Sequence, residues 1–90
     1  MYLHLGRDVE VPFSEIVGIF DLDTVSVSKR TRSFLSSAEK KKQVVNVSDD
    51  IPKSCVICSA GGKTRVYISQ ISSATLKKRA EGNVILGNLL

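Results

Sequence analysis

Tryptophan is absent from this 90-residue chain, histidine occurs once, and cysteine and proline occur twice each. These shortages remove whole classes of chemistry. With His4 alone and no second cysteine pair, Cys55 and Cys58 lack the partners of a tetrahedral zinc site. Redox and metal sites do share the C-V-I-C spacing. Val56 and Ile57 between the cysteines read as strand, however, and residues three apart on a strand point to opposite faces. Reduced, structural thiols are expected. A catalytic His4 would need a nucleophile or carboxylate at close range, and nothing in the sequence marks one, so a packed or interface histidine is expected. Asp21 and Asp23 share a strand face, but a strand-ending turn explains them as well as an acid–base pair does. "SAGGK" lacks the G-x-x-x-x-G-K-[ST] spacing that cradles phosphates and reads as a hairpin turn. The chain is therefore expected to be no enzyme and to need no cofactor.

Long apolar runs are also missing. The first residues, "MYLHLGRDVEV", are charged by Arg7 and too short in apolar character for a signal peptide or a membrane span. A cytoplasmic protein without a membrane partner is expected. No internal repeat or low-complexity segment occurs.

What is present is a single small core with a lopsided charge. A chain this short buries only about 60–65 % of its unfolded surface, so one domain is expected and oligomerisation would add burial. The net charge of +4 hides an asymmetry. Residues 1–27 set Arg7 against Asp8, Glu10, Glu15, Asp21 and Asp23, a net of −4, whereas residues 28–90 set twelve Lys and Arg against Glu39, Asp49, Asp50 and Glu81, a net of +8. A basic end of this kind suits a polyanion.

Local patterning predicts an α+β fold: a small, mainly antiparallel sheet of about five to six strands with two short helices. "YLHL" and "VEVP", residues 2–5 and 9–12, alternate around Gly6-Arg7-Asp8 and read as a hairpin. "IVGIFDL", residues 16–22, is dense enough for a central strand buried on both faces, completing a meander with the hairpin. From the N-cap candidate Ser28, Thr31, Phe34, Leu35 and Ala38 fall at helical spacing, predicting a helix over 29–41. Strands follow at 44–47, 54–58 and 64–69. A second helix is expected over 74–81, capped by Ser72 or Ser73 and ended by Gly82 as C′ residue. The domain would then span 1–81, leaving 82–90 as an apolar tail, docked or frayed.

Cations gather in the basic part: Lys53, Arg30, Arg32, Lys63, Arg65, Lys78 and Arg79 are the candidate contacts. A solvated face is the plain alternative. Lys29, Arg30 and Arg32 occupy a first helical turn, where the macrodipole disfavours cations by a few tenths of a kcal/mol each. Aromatic interleaving is poor, with only Tyr67 nearby, which favours phosphate contact with duplex DNA over stacking on single strands. Lys77, Lys78 and Arg79 span most of a turn and cannot all face one surface.

Taken together, "MYLHLG", "IVGIFDLD", "PKS" and "YISQISSATLKKR" resemble the RemB branch of the small bacterial RemA/RemB extracellular matrix regulatory family, over about residues 1–80. The resemblance implies a fold similar to LytTR-type DNA-binding domains and a role in regulating biofilm matrix genes. It also implies assembly into a ring-like homo-oligomer on duplex DNA. RemA-type members carry arginines where this chain has Glu15 and the pair Asp50 and Ile51, whereas Lys53 matches a basic loop position. DNA contact, if made, would therefore use other cations. The alternative is a protein-interaction module that leaves DNA alone and acts on a RemA-like paralogue or another partner.

Overall fold

A computed structural model describes residues 1–22 and 29–89, the stretch 82–89 as backbone. The chain runs β1 (Tyr2–Gly6), β2 (Val9–Pro12), a 3-10 turn (Phe13–Glu15), β3 (Ile16–Asp21), α1 (Lys29–Lys40), β4 (Val44–Asn46), β5 (Ser54–Ala60), β6 (Lys63–Ser69) and α2 (Ser73–Leu89). These elements make the α+β fold, with six strands and two helices among the described residues. The capping candidate Ser28 and the carboxylate Asp23 lie outside them.

β1 and β2 form a two-stranded antiparallel sheet of their own, while the larger sheet has the order β3-β5-β6-β4. Both β3 and β6 run antiparallel to β5, and β4 runs parallel to β6. Between β5 and β6, Gly61 and Gly62 both take positive φ, 56° and 78°. Only glycine enters this region without strain, and two such residues make the tight hairpin whose twist matches the strands.

Two expectations are corrected here. β3 is an edge strand rather than the central one, and it pairs with β5 rather than continuing a meander from β2. Its apolar density is spent partly on solvent, with Val17 67 % and Phe20 48 % exposed. The β-branched run specified strand but not position, because position depends on which other strand supplies the matching ladder. β5, with burial at Ser54, Cys55, Val56 and Cys58, is the strand enclosed on both faces.

The larger sheet is covered on its two sides by different layers. One side packs Val56 and Cys58 against Leu3, Leu5 and Val11 of the small sheet and Leu76 of α2. The other packs Cys55 and Val66 against Ala38 of α1, with Leu35, Val44, Ile57 and Ile68 around them. Neighbouring residues of β5 thus alternate between two apolar clusters, as strand geometry requires. Buried Ser69 pins the layers together: its hydroxyl donates to the Leu5 carbonyl of β1 at 2.6 Å and accepts the Ile71 N–H at 3.0 Å. Ser54, equally buried, donates to the Ile71 carbonyl at 2.7 Å.

α2 starts where expected and ends later. Ser72 is the cap, accepting the Thr75 N–H at 3.2 Å and donating to the Thr75 hydroxyl at 2.9 Å. The helix then continues through Gly82 to Leu89. Glycine terminates a helix only where the chain turns left-handed after it. Inside a helix it costs about 1 kcal/mol relative to alanine, and no proline follows to force a stop. Among the described residues no helix is long and apolar enough to cross a membrane.

Candidate nucleic-acid interface

β5 pairs along its whole length with β6 and over most of it with β3, and this decides where the cations fall. Leu22, following β3, donates its N–H to the Lys53 carbonyl at 2.9 Å, and the Lys53 N–H donates to the Ser69 carbonyl at 2.9 Å. Lys53 therefore sits on a fixed, sheet-extending backbone with its side chain exposed. It marks the end of the sheet where β3 finishes. Lys63 and Arg65 mark the other, beside the glycine hairpin, with Lys63 opposite Ala60 and Arg65 opposite Cys58. Six residues of β5 separate these ends, about 20 Å at strand rise. The predicted cations do not form one patch.

Lys63 and Arg65 project from the face that carries Cys58 and Tyr67. With Glu15, Cys58, Ala60 and Tyr67 they line a cavity of about 230 Å³. One carboxylate thus sits among two cations. Burial pushes the Cys58 thiol up to about 11, and the charge of Glu15 adds to the rise. On the opposite face burial pushes Cys55 up to about 11 as well, with Cys58 contributing. Both thiols are free and buried, and they belong to separate clusters on opposite faces. Near the hairpin, Lys42 and Gln43 after α1 join Gly62, Lys63, Thr64 and Arg65 around a second, more open hollow.

α1 divides its own cations. Arg30 borders an apolar hollow of about 210 Å³ formed with Phe20, Phe34, Leu35, Cys55 and Ile57. Phe34, read in the sequence as inward-facing, is 41 % exposed at that rim. Arg32 lies on the solvent side instead, where Lys29, Arg32, Ser33, Ser36, Ser37 and Lys40 line an open groove of about 490 Å³. Lys29 and Lys40, cations of this helix in the sequence, are not among the candidate contacts read there, and the three serines are not singled out. The signal that finds them is the helical spacing i, i+3, i+4, i+7, i+8, i+11 applied to polar rather than apolar residues.

The remaining candidates lie elsewhere. Lys77 and Lys78 are exposed on α2, and the Arg79 guanidinium donates to the His4 carbonyl at 3.3 Å, tying α2 to β1. His4 is exposed, not packed, and its Nε2 bonds the Arg7 carbonyl at 2.7 Å across the β1–β2 turn. A carbonyl only accepts, so Nε2 carries the proton. In the loop before Lys53, the Asp50 N–H donates to the Ser48 hydroxyl at 3.0 Å, and that hydroxyl donates to the Asp50 carboxylate at 3.1 Å. Ile51, beside it, is 79 % exposed.

Comparison with known proteins gives this arrangement its context. Residues 2–80 match the RemA-like family, described as extracellular matrix regulatory protein A-like. Extracellular matrix regulatory protein B of Bacillus subtilis (strain 168) is 41 % identical over 81 residues, covering 90 % of this chain and 91 % of that protein. The match takes in both sheets, α1 and the first turns of α2, and on it this chain belongs to the RemA-like family of extracellular matrix regulatory proteins.

Proposed function

We propose that the chain is a cytoplasmic, non-enzymatic regulator of extracellular matrix genes that binds duplex DNA through phosphate contacts repeated around a ring-like homo-oligomer. One observation carries it: twelve of the thirteen Lys and Arg lie in residues 28–90, and most of them are exposed around α1, the β5–β6 hairpin and the loop before β5. A modest charge per subunit gives useful affinity when many copies engage one duplex. The apolar edge supports self-association. Val17 and Phe20 expose apolar surface on an edge strand, which invites pairing with another chain unless it is covered. The relative's name, extracellular matrix regulatory protein B, supports the regulatory assignment.

A second reading has its own observation. Glu15 stands in the cavity of Lys63 and Arg65, and Asp50 in the loop before Lys53, so two surfaces that could meet phosphate also carry carboxylates. That arrangement favours a protein-interaction module acting on a RemA-like paralogue. Binding of labelled duplex DNA over a salt series, with oligomer mass by light scattering, separates the two. The DNA reading expects a mass well above 9.8 kDa and an affinity falling steeply with salt. A monomer, or no binding at about 50 mM salt, where screening is weakest, would leave only the interaction module.

A further inference from the structure

We infer that α1, through Lys29, Arg32, Ser33, Ser36, Ser37 and Lys40, is the surface that lies along the phosphate backbone of duplex DNA; this rests on the DNA-binding reading above and assigns its contact face. At ~100° per residue these six side chains fall within about 140° of the helix circumference. All six are exposed and line one open groove. Each is a hydrogen-bond donor, three of them cationic, and no carboxylate lines the groove. Glu39 flanks it on the Leu35 side. Lys29 and Lys40 stand ~16 Å apart along the axis, a length over which one strand of B-DNA rises past about five phosphates. The hydroxyls between them supply the neutral donors that commonly accompany Lys and Arg on phosphate oxygens.

The opposite face of the same helix decides what kind of polyanion fits. Ala38 is buried and Leu35 half-buried against the sheet. The apolar surface that α1 does expose, Phe34, borders a hollow with Phe20 and Ile57 about 130° around the helix from the donor stripe. The stripe itself has no apolar residue to sink into a lipid surface, as an interfacial helix must. No aromatic residue lies in the stripe, so successive unpaired bases have nothing to stack on. Backbone contact with a duplex is what remains. The placement also accounts for the early cations. Lys29 and Arg32 sit in the first turn, where no acidic residue offsets them and the macrodipole opposes them. A polyanion laid along the groove would offset that disfavoured charge.

The test uses the full-length chain and a labelled duplex, titrated between about 50 and 300 mM salt. The triple variant Lys29→Ala, Arg32→Ala and Lys40→Ala should lower the salt slope by about 2.7 per engaged subunit and weaken binding on the order of 10²–10³-fold near 0.1 M salt. The charge-conserving set Lys29→Arg, Arg32→Lys and Lys40→Arg should keep the wild-type slope, which a merely structural role would not predict. Ser33→Ala, Ser36→Ala and Ser37→Ala together should reduce affinity about tenfold with the slope unchanged. If the unmodified protein binds and the α1 triple matches it, while Lys42→Ala, Lys63→Ala and Arg65→Ala abolish the slope, the inference is wrong and DNA binding stands. If the unmodified protein binds no duplex, both fail. Tighter binding to single strands, or α1-dependent retention on phosphatidylserine vesicles in place of DNA, would also overturn it.

Discussion

The outer face of α1 and the β5–β6 hairpin carry similar numbers of cations, yet they differ in what stands among them. Around the α1 groove every lining side chain donates. In the hairpin cavity Lys63 and Arg65 share their space with the Glu15 carboxylate. Counting charge along the sequence treats these regions alike, whereas a phosphate approaching each surface meets a different field. Attraction that survives at several ångströms in ordinary salt depends on the local sum, because charges beyond about 8–10 Å are largely screened. On the proposed reading α1 is the polyanion surface, and the contrast is one of degree. Glu15 stands beside Lys63 and Arg65 on one side of the hairpin, Lys42, Gln43 and Thr64 join the same cations without a carboxylate on the other, and Glu39 only flanks the α1 groove.

The strongest way to break this contrast is charge reversal. Replacing Lys29, Arg32 and Lys40 by Glu should cost more than 10³-fold in duplex affinity at about 0.1 M salt, while the same change at Lys42, Lys63 and Arg65 should cost roughly tenfold. Comparable losses from both sets, measured by fluorescence anisotropy, would erase the distinction.

Ser69→Ala separates stability from the binding face. It removes the hydroxyl that holds the β1–β2 layer, leaving the Leu5 carbonyl and the Ile71 N–H without a buried partner, at a cost of about 2 kcal/mol. For a domain of this size that is roughly 8–16 °C in Tm. Because α1 packs on the other face, the folded fraction should bind duplex as before.

The two thiols report on the two faces. Each has a folded pKa raised from about 9.0 to about 11, so the folded state holds the proton more tightly than the unfolded chain. The stabilisation this gives is complete below about pH 9 and is lost as pH rises toward about 11. Thermal melts should show Tm falling across that window. Replacing both cysteines with Ala should remove the decline. At neutral pH the thiols should resist alkylation until the protein is unfolded.

The smallest expected effect is a gain. Glu15→Gln removes the carboxylate beside Lys63 and Arg65 and should raise duplex affinity by only about threefold. A much larger rise would mean the hairpin cavity is a principal contact that Glu15 holds in check.

Much of the fold was legible because it is local. The β1–β2 alternation, the Gly61-Gly62 turn, the Ser72 cap and the opposite-facing cysteines all follow from neighbouring residues. What escaped depends on partners far along the chain. β3 reads as central by composition but lies at the edge, since β5 and β6 are the strands flanked on both sides. Gly82 resembles a stop signal, yet the helix passes through it. In the candidate site Arg32 was found, but Arg30 and Arg32, two residues apart, face an apolar hollow and a polar groove respectively. Lys53 and Lys63 seemed to belong together only because β5 is short in sequence. Lys29 and Lys40 are legible as charges at the two ends of the helix, but only the helical stripe of serines between them joins them into one surface.

The central claim is that α1 rather than the hairpin touches the duplex, and photocrosslinking tests it most directly. The buried Cys55 and Cys58 leave a thiol introduced on the surface as the reactive one. A photoreactive label on Ser36→Cys, in the middle of the α1 groove, should crosslink to duplex DNA in a yield that falls with salt, and the same label on Ala60→Cys, at the hairpin cavity, should give little. Crosslinks from position 60 with none from position 36 would contradict the account.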